Sequence, residues 1–377
     1  MNEYIKALIS LTLRKKKVLN HPISVIVDAT TECNMSCKMC YRNEPFFKKP
    51  SKKFLTIEIL QMVLSQIKPR ILSFGGLIGE PLTNKDICDL VKIVVDNDCK
   101  AVFTTNGQLL TEDICSKLID NGIHLIKISV DAATKETYKK IRQSNKFDRV
   151  INNIKRLGEI EETKRKQRQV IRLEYVIQNE NIDEVVPFLY LANKLRISNI
   201  TFLPMNFIPI SKDTEISFKE NFNLEKIMNM MKEAISVSSE LQIQTNLSFL
   251  FRKSHKMKNL KDYILKDSDL FYFPWYKYSQ GKHILCAMPW IELVLDLNGD
   301  VSICCVPFTP GRNEKGLIIG NFNENKLSDI WNGEKAQRIR QMCATKENYN
   351  AFTLCRLCVN RPNIWGEIQK NKILSFV

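Results

Sequence analysis

The stretch TECNMSCKMCYR, Thr31 to Arg42, sets Cys33, Cys37 and Cys40 within eight consecutive positions. The thiolate is a metal ligand, so three of them this close ask for a metal or redox centre. A structural zinc site takes four protein ligands, usually from paired CxxC knuckles, and the triad alone does not complete one. An iron–sulfur cluster commonly takes four cysteines; supplied with three, it keeps one iron open to the donor atoms of another molecule. A second set lies far downstream: Cys286, Cys304, Cys305, Cys343 and the pair Cys355-x2-Cys358. Four thiolates from a hairpin and a CxxC knuckle satisfy zinc or a cluster alike. Cys88, Cys99 and Cys115 fall in or beside helical patterns and read as core packing.

The elements around the triad read as an α/β chain. Strand candidates are Ile23 to Ala29, Arg70 to Gly76, Lys100 to Gly107, His124 to Asp131, Val170 to Ile177 and Asn199 to Met205. They are β-branched and nearly continuously apolar, the pattern of parallel strands buried on both faces. Helical periodicity fills the gaps, at Thr56 to Ile67, Lys85 to Asn97, Thr111 to Gly122 and Ile182 to Leu195. Six β-then-α units imply an α/β barrel or part of one, a partial (β/α)6 TIM-like barrel. Cys33, Cys37 and Cys40 directly follow its first strand, at the carboxyl end where such barrels keep their active sites. Beyond it come one helix at Leu224 to Leu241, an aromatic run at Phe271 to Tyr278, and Ile291 to Cys305, a hairpin turning at Asn298-Gly299. The expected division is 1–22, an amphipathic helix; 23–205, the barrel; 206–281, its last helix and a bridge; 282–365, a small cysteine domain; and 366–377, a tail.

Composition narrows the class. The 377 residues are 44% hydrophobic and 26% charged, which is globular, and no apolar run has the length of a membrane span. The N-terminus MNEYIKALISLTLRKKKVLN lacks the apolar region and cleavage site of an export signal, so the expectation is a cytoplasmic protein. Twelve cysteines there are reduced, so their clusters mean metal or redox chemistry. The +15 charge admits nucleic acid or an anionic membrane as partner. Its densest runs, Lys15 to Lys17 and Glu162 to Arg168, lack interleaved aromatics and read as solvated faces, without a nucleic-acid partner.

Cys-x3-Cys-x2-Cys after the first strand resembles the signature of the radical S-adenosylmethionine (radical SAM) enzymes. FGGLIGEPL, Phe74 to Leu82, is similar to that family's glycine-rich segment, TTNG, Thr104 to Gly107, to the end of its third strand, and ISVDAATKETYKKIR, Ile128 to Arg142, to the end of its fourth. The resemblance implies a 4Fe-4S cluster on Cys33, Cys37 and Cys40 whose open iron chelates S-adenosylmethionine. It implies a reductive cleavage giving a 5′-deoxyadenosyl radical that abstracts a substrate hydrogen. Cofactor contacts would come from Met39, where the family usually has an aromatic beside the adenine, Gly76, Gly79, Glu80, Asn106, Ser129 and Asp131 near the ribose, and Arg142 near the carboxylate. Asp131 and Thr134 also have the spacing to begin a helix.

CAMPWIELVLDLNGDVSICC, Cys286 to Cys305, and IIGNFNENKLSDIWNGEKAQRIR, Ile318 to Arg340, resemble the SPASM domain at the C-terminus of many radical enzymes, with Trp331 packing its helix. No cysteine follows Cys358, so the short version with one auxiliary 4Fe-4S cluster is implied, ligated by Cys286, Cys304, Cys355 and Cys358, with Cys305 and Cys343 as rivals. Its implied role is electron transfer during oxidation or cross-linking. A reductant such as flavodoxin or ferredoxin is the implied partner. Two substrate classes compete: a peptide or protein side chain, and a small polar metabolite such as a sugar or cyclitol undergoing oxidation or epimerisation. Met1 to Pro22 is too short for the winged-helix peptide-binding domain of many peptide maturases. From another class, the charge and the cysteines also admit a zinc-binding nucleic-acid-binding module.

Overall fold

The computed structural model describes residues 2–43, 49–75, 78–165, 170–204, 224–248, 286–304 and 317–344. Gly76, Cys305, Cys355, Cys358 and the aromatic run Phe271 to Tyr278 lie outside the described residues. The chain divides into two compact units built from interleaved segments: Met1–Val27, Glu58–Leu72 and Tyr272–Val377 in one, Asp28–Ile57 and Ser73–Phe271 in the other.

In chain order, each of the first six strands is followed by helix: β1 (Ser24–Val27) by α2 (Ile57–Gln66), β2 (Ile71–Phe74) by α3 (Ile87–Asp96), β3 (Lys100–Thr105) by α4 (Glu112–Asp120), β4 (Leu125–Ser129) by α5 (Lys135–Arg142) and α6 (Phe147–Arg165), β5 (Ile171–Ile177) by α7 (Val185–Lys194), and β6 (Asn199–Pro204) by α8 (Leu224–Glu240). This is the expected α/β alternation. In the second unit, β3, β4, β5, β6 and the short β7 (Gln244–Thr245) form a parallel ladder, with Ser129 opposite Glu174 and Glu174 opposite Thr201.

One expectation changes. The strands are not buried equally on both faces: Ile171, Leu173, Tyr175 and Ile177 are buried while Arg172, Glu174 and Val176 are half-buried. Side chains alternate along a strand, so one face carries Tyr175 against Phe188 and Phe202, with ring centroids 4.7 and 5.5 Å apart. The other face carries Lys127, Ser129, Arg172, Glu174 and Thr201. Its polar character leaves room for chemistry that a doubly apolar sheet would exclude.

The first unit starts with α1 (Glu3–Thr12) and holds β10 (Ile318–Asn321), β9 (Asp300–Ser302), β8 (Glu292–Leu295) and β1 as neighbours; β8 runs parallel to β1 and antiparallel to β9. The hairpin turns where expected, with Gly299 at φ +95 and Asp296 Oδ1 accepting from the amides of Asn298 and Asp300. Among the described residues this unit also holds most of α2, together with α9 (Met288–Ile291), α10 (Leu327–Trp331) and α11 (Glu334–Ala344).

Arg340 of α11 is wholly buried. It lies over the Trp331 ring at 4.4 Å and donates to the carbonyls of Pro289 (2.7 Å), Trp331 (2.7 Å) and Lys16 (3.0 Å). Burial lowers its pKa to about 9, and the carbonyls repay that desolvation only while the guanidinium stays. Arg340→Met is therefore expected to leave buried carbonyls unpaired and cost about 3 kcal/mol in urea unfolding. Lys335→Met, on the exposed side of the same helix, should stay within about 0.5 kcal/mol.

Candidate active site

The loop carrying Cys33, Cys37 and Cys40 is tied to its own unit from several sides. At its start, Thr31 exchanges hydrogen bonds with Lys53 (3.0 and 2.9 Å) and donates from Oγ1 to Ser51 O (2.9 Å). At its end, Arg42 Nη1 donates to the carbonyls of Thr31 (2.7 Å) and Ile78 (2.9 Å), closing the loop on itself and on the segment after β2. Between them, the Cys40 amide donates to Cys37 O, and so does Asn43 Nδ2.

The glycine-rich segment presses on this loop. Gly79 lies so close that a Cβ there would overlap the Thr30 carbonyl and come within 2.9 Å of Glu32 O. The Glu80 amide donates to that same Glu32 oxygen at 2.7 Å. Glycine is needed at position 79 for backbone-to-backbone approach. Glu80 is buried, and its carboxylate accepts from Thr105 Oγ1 (2.5 Å) and from the amides of Asn106 (2.7 Å) and Leu82 (3.2 Å). Burial pushes its pKa up against those donors. Asn106 then reaches back, donating from Nδ2 to Asn34 Oδ1 at 2.7 Å, within the cysteine loop.

From the opposite side comes α5. Thr134 caps it, accepting from Thr137 N. Asp131 does not cap: it sits at φ +62, wholly buried, with Oδ1 accepting from Val176 N (2.7 Å) and Oδ2 paired to Arg142 Nη2 (2.6 Å). The guanidinium also faces the Cys37 sulfur, at 3.6 Å from Nη1. Burial works against the Arg142 charge, but the Asp131 carboxylate and the Cys37 sulfur more than reverse that, so its pKa stands raised. The Lys38 amide donates to Ile141 O at 2.8 Å, binding loop to helix.

Burial raises the pKa of both Cys33 and Cys40, and the neighbouring Cys37 adds to it. Among the described residues no three His, Cys, Asp or Glu side chains are arranged as a metal site, this triad included. The donor chemistry fits a cluster nonetheless: three free thiols on one anchored loop, with cationic Arg142 beside one sulfur. Met39 is half-buried next to Cys40. Ser129 ends β4, with its Oγ 3.4 Å from Glu174 Oε2. Cys286 precedes α9 and Cys304 follows β9, both half-buried, as is Cys343 on α11. Cys99 and Cys115 are buried and Cys88 half-buried; burial pushes the Cys115 thiol up to about 12.

Sequence reasoning missed Asn34, Arg42 and Glu174. Arg42 stands two residues after the last cysteine, and that adjacency was the available signal.

The chain matches the radical SAM superfamily over residues 27–192 and the SPASM iron-sulfur cluster-binding domain over residues 286–359. It belongs to the radical SAM enzymes and carries a C-terminal SPASM domain, so its cofactors are S-adenosylmethionine and 4Fe-4S clusters. Membership makes it an enzyme rather than the zinc-binding module admitted by charge and cysteines.

Among its relatives, it is 24% identical to the probable GTP 3′,8-cyclase of Methanocaldococcus jannaschii over 215 residues, 56% of this chain and 66% of that protein. It is 31% identical to the GTP 3′,8-cyclase of Aliarcobacter butzleri over 137 residues, 36% of this chain and 42% of that one. The matched part thus spans just under two thirds of the first relative's length. The fold is shared with Streptococcus suis SuiB bound to precursor peptide SuiA, at TM-score 0.61 and 16% identity over 94% of this chain and 74% of that one. It is shared also with anSMEcpe bound to AdoMet and the Cp18Cys peptide, at 0.59 and 15% over 89% and 88%. No helix among the described residues is long and apolar enough to cross a membrane.

Gly79→Ala should drive the backbone after β2 off Thr30 and shift the cysteine loop. Deoxyadenosine formation from S-adenosylmethionine is expected to fall about 100-fold, as for a reacting group misplaced by about 1 Å, with iron lost from the first cluster. Chromatography of the reduced, reconstituted variant and its iron count check this.

Proposed function

We propose that this enzyme modifies a peptide or protein side chain, with Cys33, Cys37 and Cys40 holding the cluster that meets S-adenosylmethionine. Cys286, Cys304, Cys355 and Cys358 would ligate one auxiliary cluster, which would supply a one-electron acceptor for the radical left on the substrate after hydrogen abstraction. A flavodoxin or ferredoxin is the reductant. The chemistry supplied by cluster and S-adenosylmethionine together is reductive cleavage of the sulfonium and abstraction of hydrogen from an unactivated carbon.

The residues of the chain prepare that site in distinct ways. Arg142 sets positive charge beside the Cys37 sulfur, which suits an anionic ligand. Because Asp131 and Arg142 are committed to each other and Glu80 to Thr105 and Asn106, these three act as positioning residues. Ser129 is assigned to the ribose and Met39 to the adenine, where its polarizable sulfur can lie against a ring. Gly76 and Asn106 complete the contacts carried over from the family motif.

The observation that carries the peptide reading is the breadth of the fold match. Likeness in fold to SuiB, whose structure holds a precursor peptide, runs through 94% of this chain and 74% of that one. The cyclases among its relatives favour the second reading, a small polar molecule such as a nucleotide, sugar or cyclitol. Incubating the reduced holoenzyme with deuterated candidates decides between them. Deuterium passing from a peptidyl carbon into 5′-deoxyadenosine is the expected result; label passing only from a nucleotide or sugar overturns it.

A further inference from the structure

Four of the seven large apolar side chains exposed among the described residues crowd the N-terminal segment: Ile5 at 42%, Leu8 at 37%, Leu13 at 64% and Leu19 at 48%. Ile5 and Leu8 lie one turn apart on α1, on the side away from the buried Ala7, Ser10 and Leu11. Between these aliphatic residues runs Arg14-Lys15-Lys16-Lys17, of which Arg14, Lys16 and Lys17 are exposed. The single acid of residues 2–22, Glu3, is already engaged by Lys6 at 2.5 Å and by the His21 amide at 2.8 Å.

The basic run is held in a fixed shape. Arg14, two residues past the end of α1, turns the chain at φ +49, and Lys15 N bonds back to Ser10 O at 2.8 Å. The Lys15 carbonyl accepts from the Trp290 indole (2.9 Å) and the Lys16 carbonyl from Arg340 (3.0 Å), while Asn332 takes both backbone groups of Val18. With its carbonyls held inward by these donors, the segment exposes Lys16 and Lys17. The helix that supplies Arg340 exposes two further cations, Lys335 and Arg338.

A merely solvated basic face has polar neighbours. Here a run of cations is flanked on both sides by exposed aliphatics, the composition of a surface that seats apolar side chains at the acyl boundary and cations against phosphates. We propose that this face docks on an anionic bilayer. Stacking on nucleic acid would need aromatics, and the segment has only the half-buried Tyr4. The chain's +15 charge adds long-range attraction of the same sign. This inference does not depend on the substrate reading.

Co-sedimentation of the holoenzyme with vesicles of phosphatidylcholine alone, or mixed with phosphatidylglycerol, tests it. Binding only to the mixed vesicles, weakening with salt, is expected. Lys16→Gln/Lys17→Gln should cut partitioning about 25-fold, at about fivefold per lysine, and Leu8→Ser/Leu13→Ser should also release the protein. These side chains are exposed and outside the active site, so thermal melting and deoxyadenosine formation in solution should match the parent. Equal binding to neutral vesicles, no binding to anionic ones, or unchanged binding by both variants overturns the proposal. So does a dimer in sedimentation that Leu8→Ser/Leu13→Ser dissociates without any vesicle binding, since the face then belongs to a second copy.

Discussion

The cysteine loop depends on one buried ion pair. Asp131 and Arg142, 2.6 Å apart and out of water, join the end of β4, the amide of Val176 in β5 and the last turn of α5 to the Cys37 sulfur. A buried pair of this kind contributes little net stability compared with apolar packing, yet removing one partner leaves an uncompensated charge. Its value lies in geometry. It places the helix that holds Lys38 N, and through Lys38 the middle of the cysteine loop, where three further tethers at Thr31, Arg42 and Asn34 hold the remainder.

The same economy recurs on the other side of the loop. Gly79 and Glu80 turn the segment after β2 into a brace, one by lacking a side chain and the other by spending its carboxylate on Thr105 and Asn106. Thus residues that a motif would assign to the cofactor serve first to shape the backbone around it. The sheet behind them is apolar toward its helices and polar on the other face, where Lys127, Ser129 and Glu174 are half-buried. In the first unit, Arg340 and Trp331 do for the SPASM helices what Asp131 and Arg142 do for the cysteine loop.

The six strands were legible because β-branched runs between helical periods leave few other readings, and their observed ends fall within a few residues of the expected ones. The hairpin was legible from Asn298-Gly299. The helix α6 was not singled out: its buried Val150, Ile154 and Leu157 are diluted by charge along FDRVINNIKRLGEIEETKR. Pairing of β8 with β1 joins segments far apart in the chain, which no local pattern announces. The cysteine and glycine motifs pointed to a candidate site, but not to what Gly79, Glu80 or Asp131 touch. Arg340 was invisible because an arginine in a helical pattern reads as solvent-facing until its carbonyl partners are seen.

A double-mutant cycle on the buried pair tests the central claim most directly. Asp131→Asn, Arg142→Gln and the double variant would be reconstituted anaerobically, and the iron bound and the urea midpoint recorded for each. If the pair grips the cysteine loop as one unit, either single change empties the first cluster, the double is no worse, and the coupling is about 2 kcal/mol. Singles that keep their iron, with losses of stability that merely add, would contradict it.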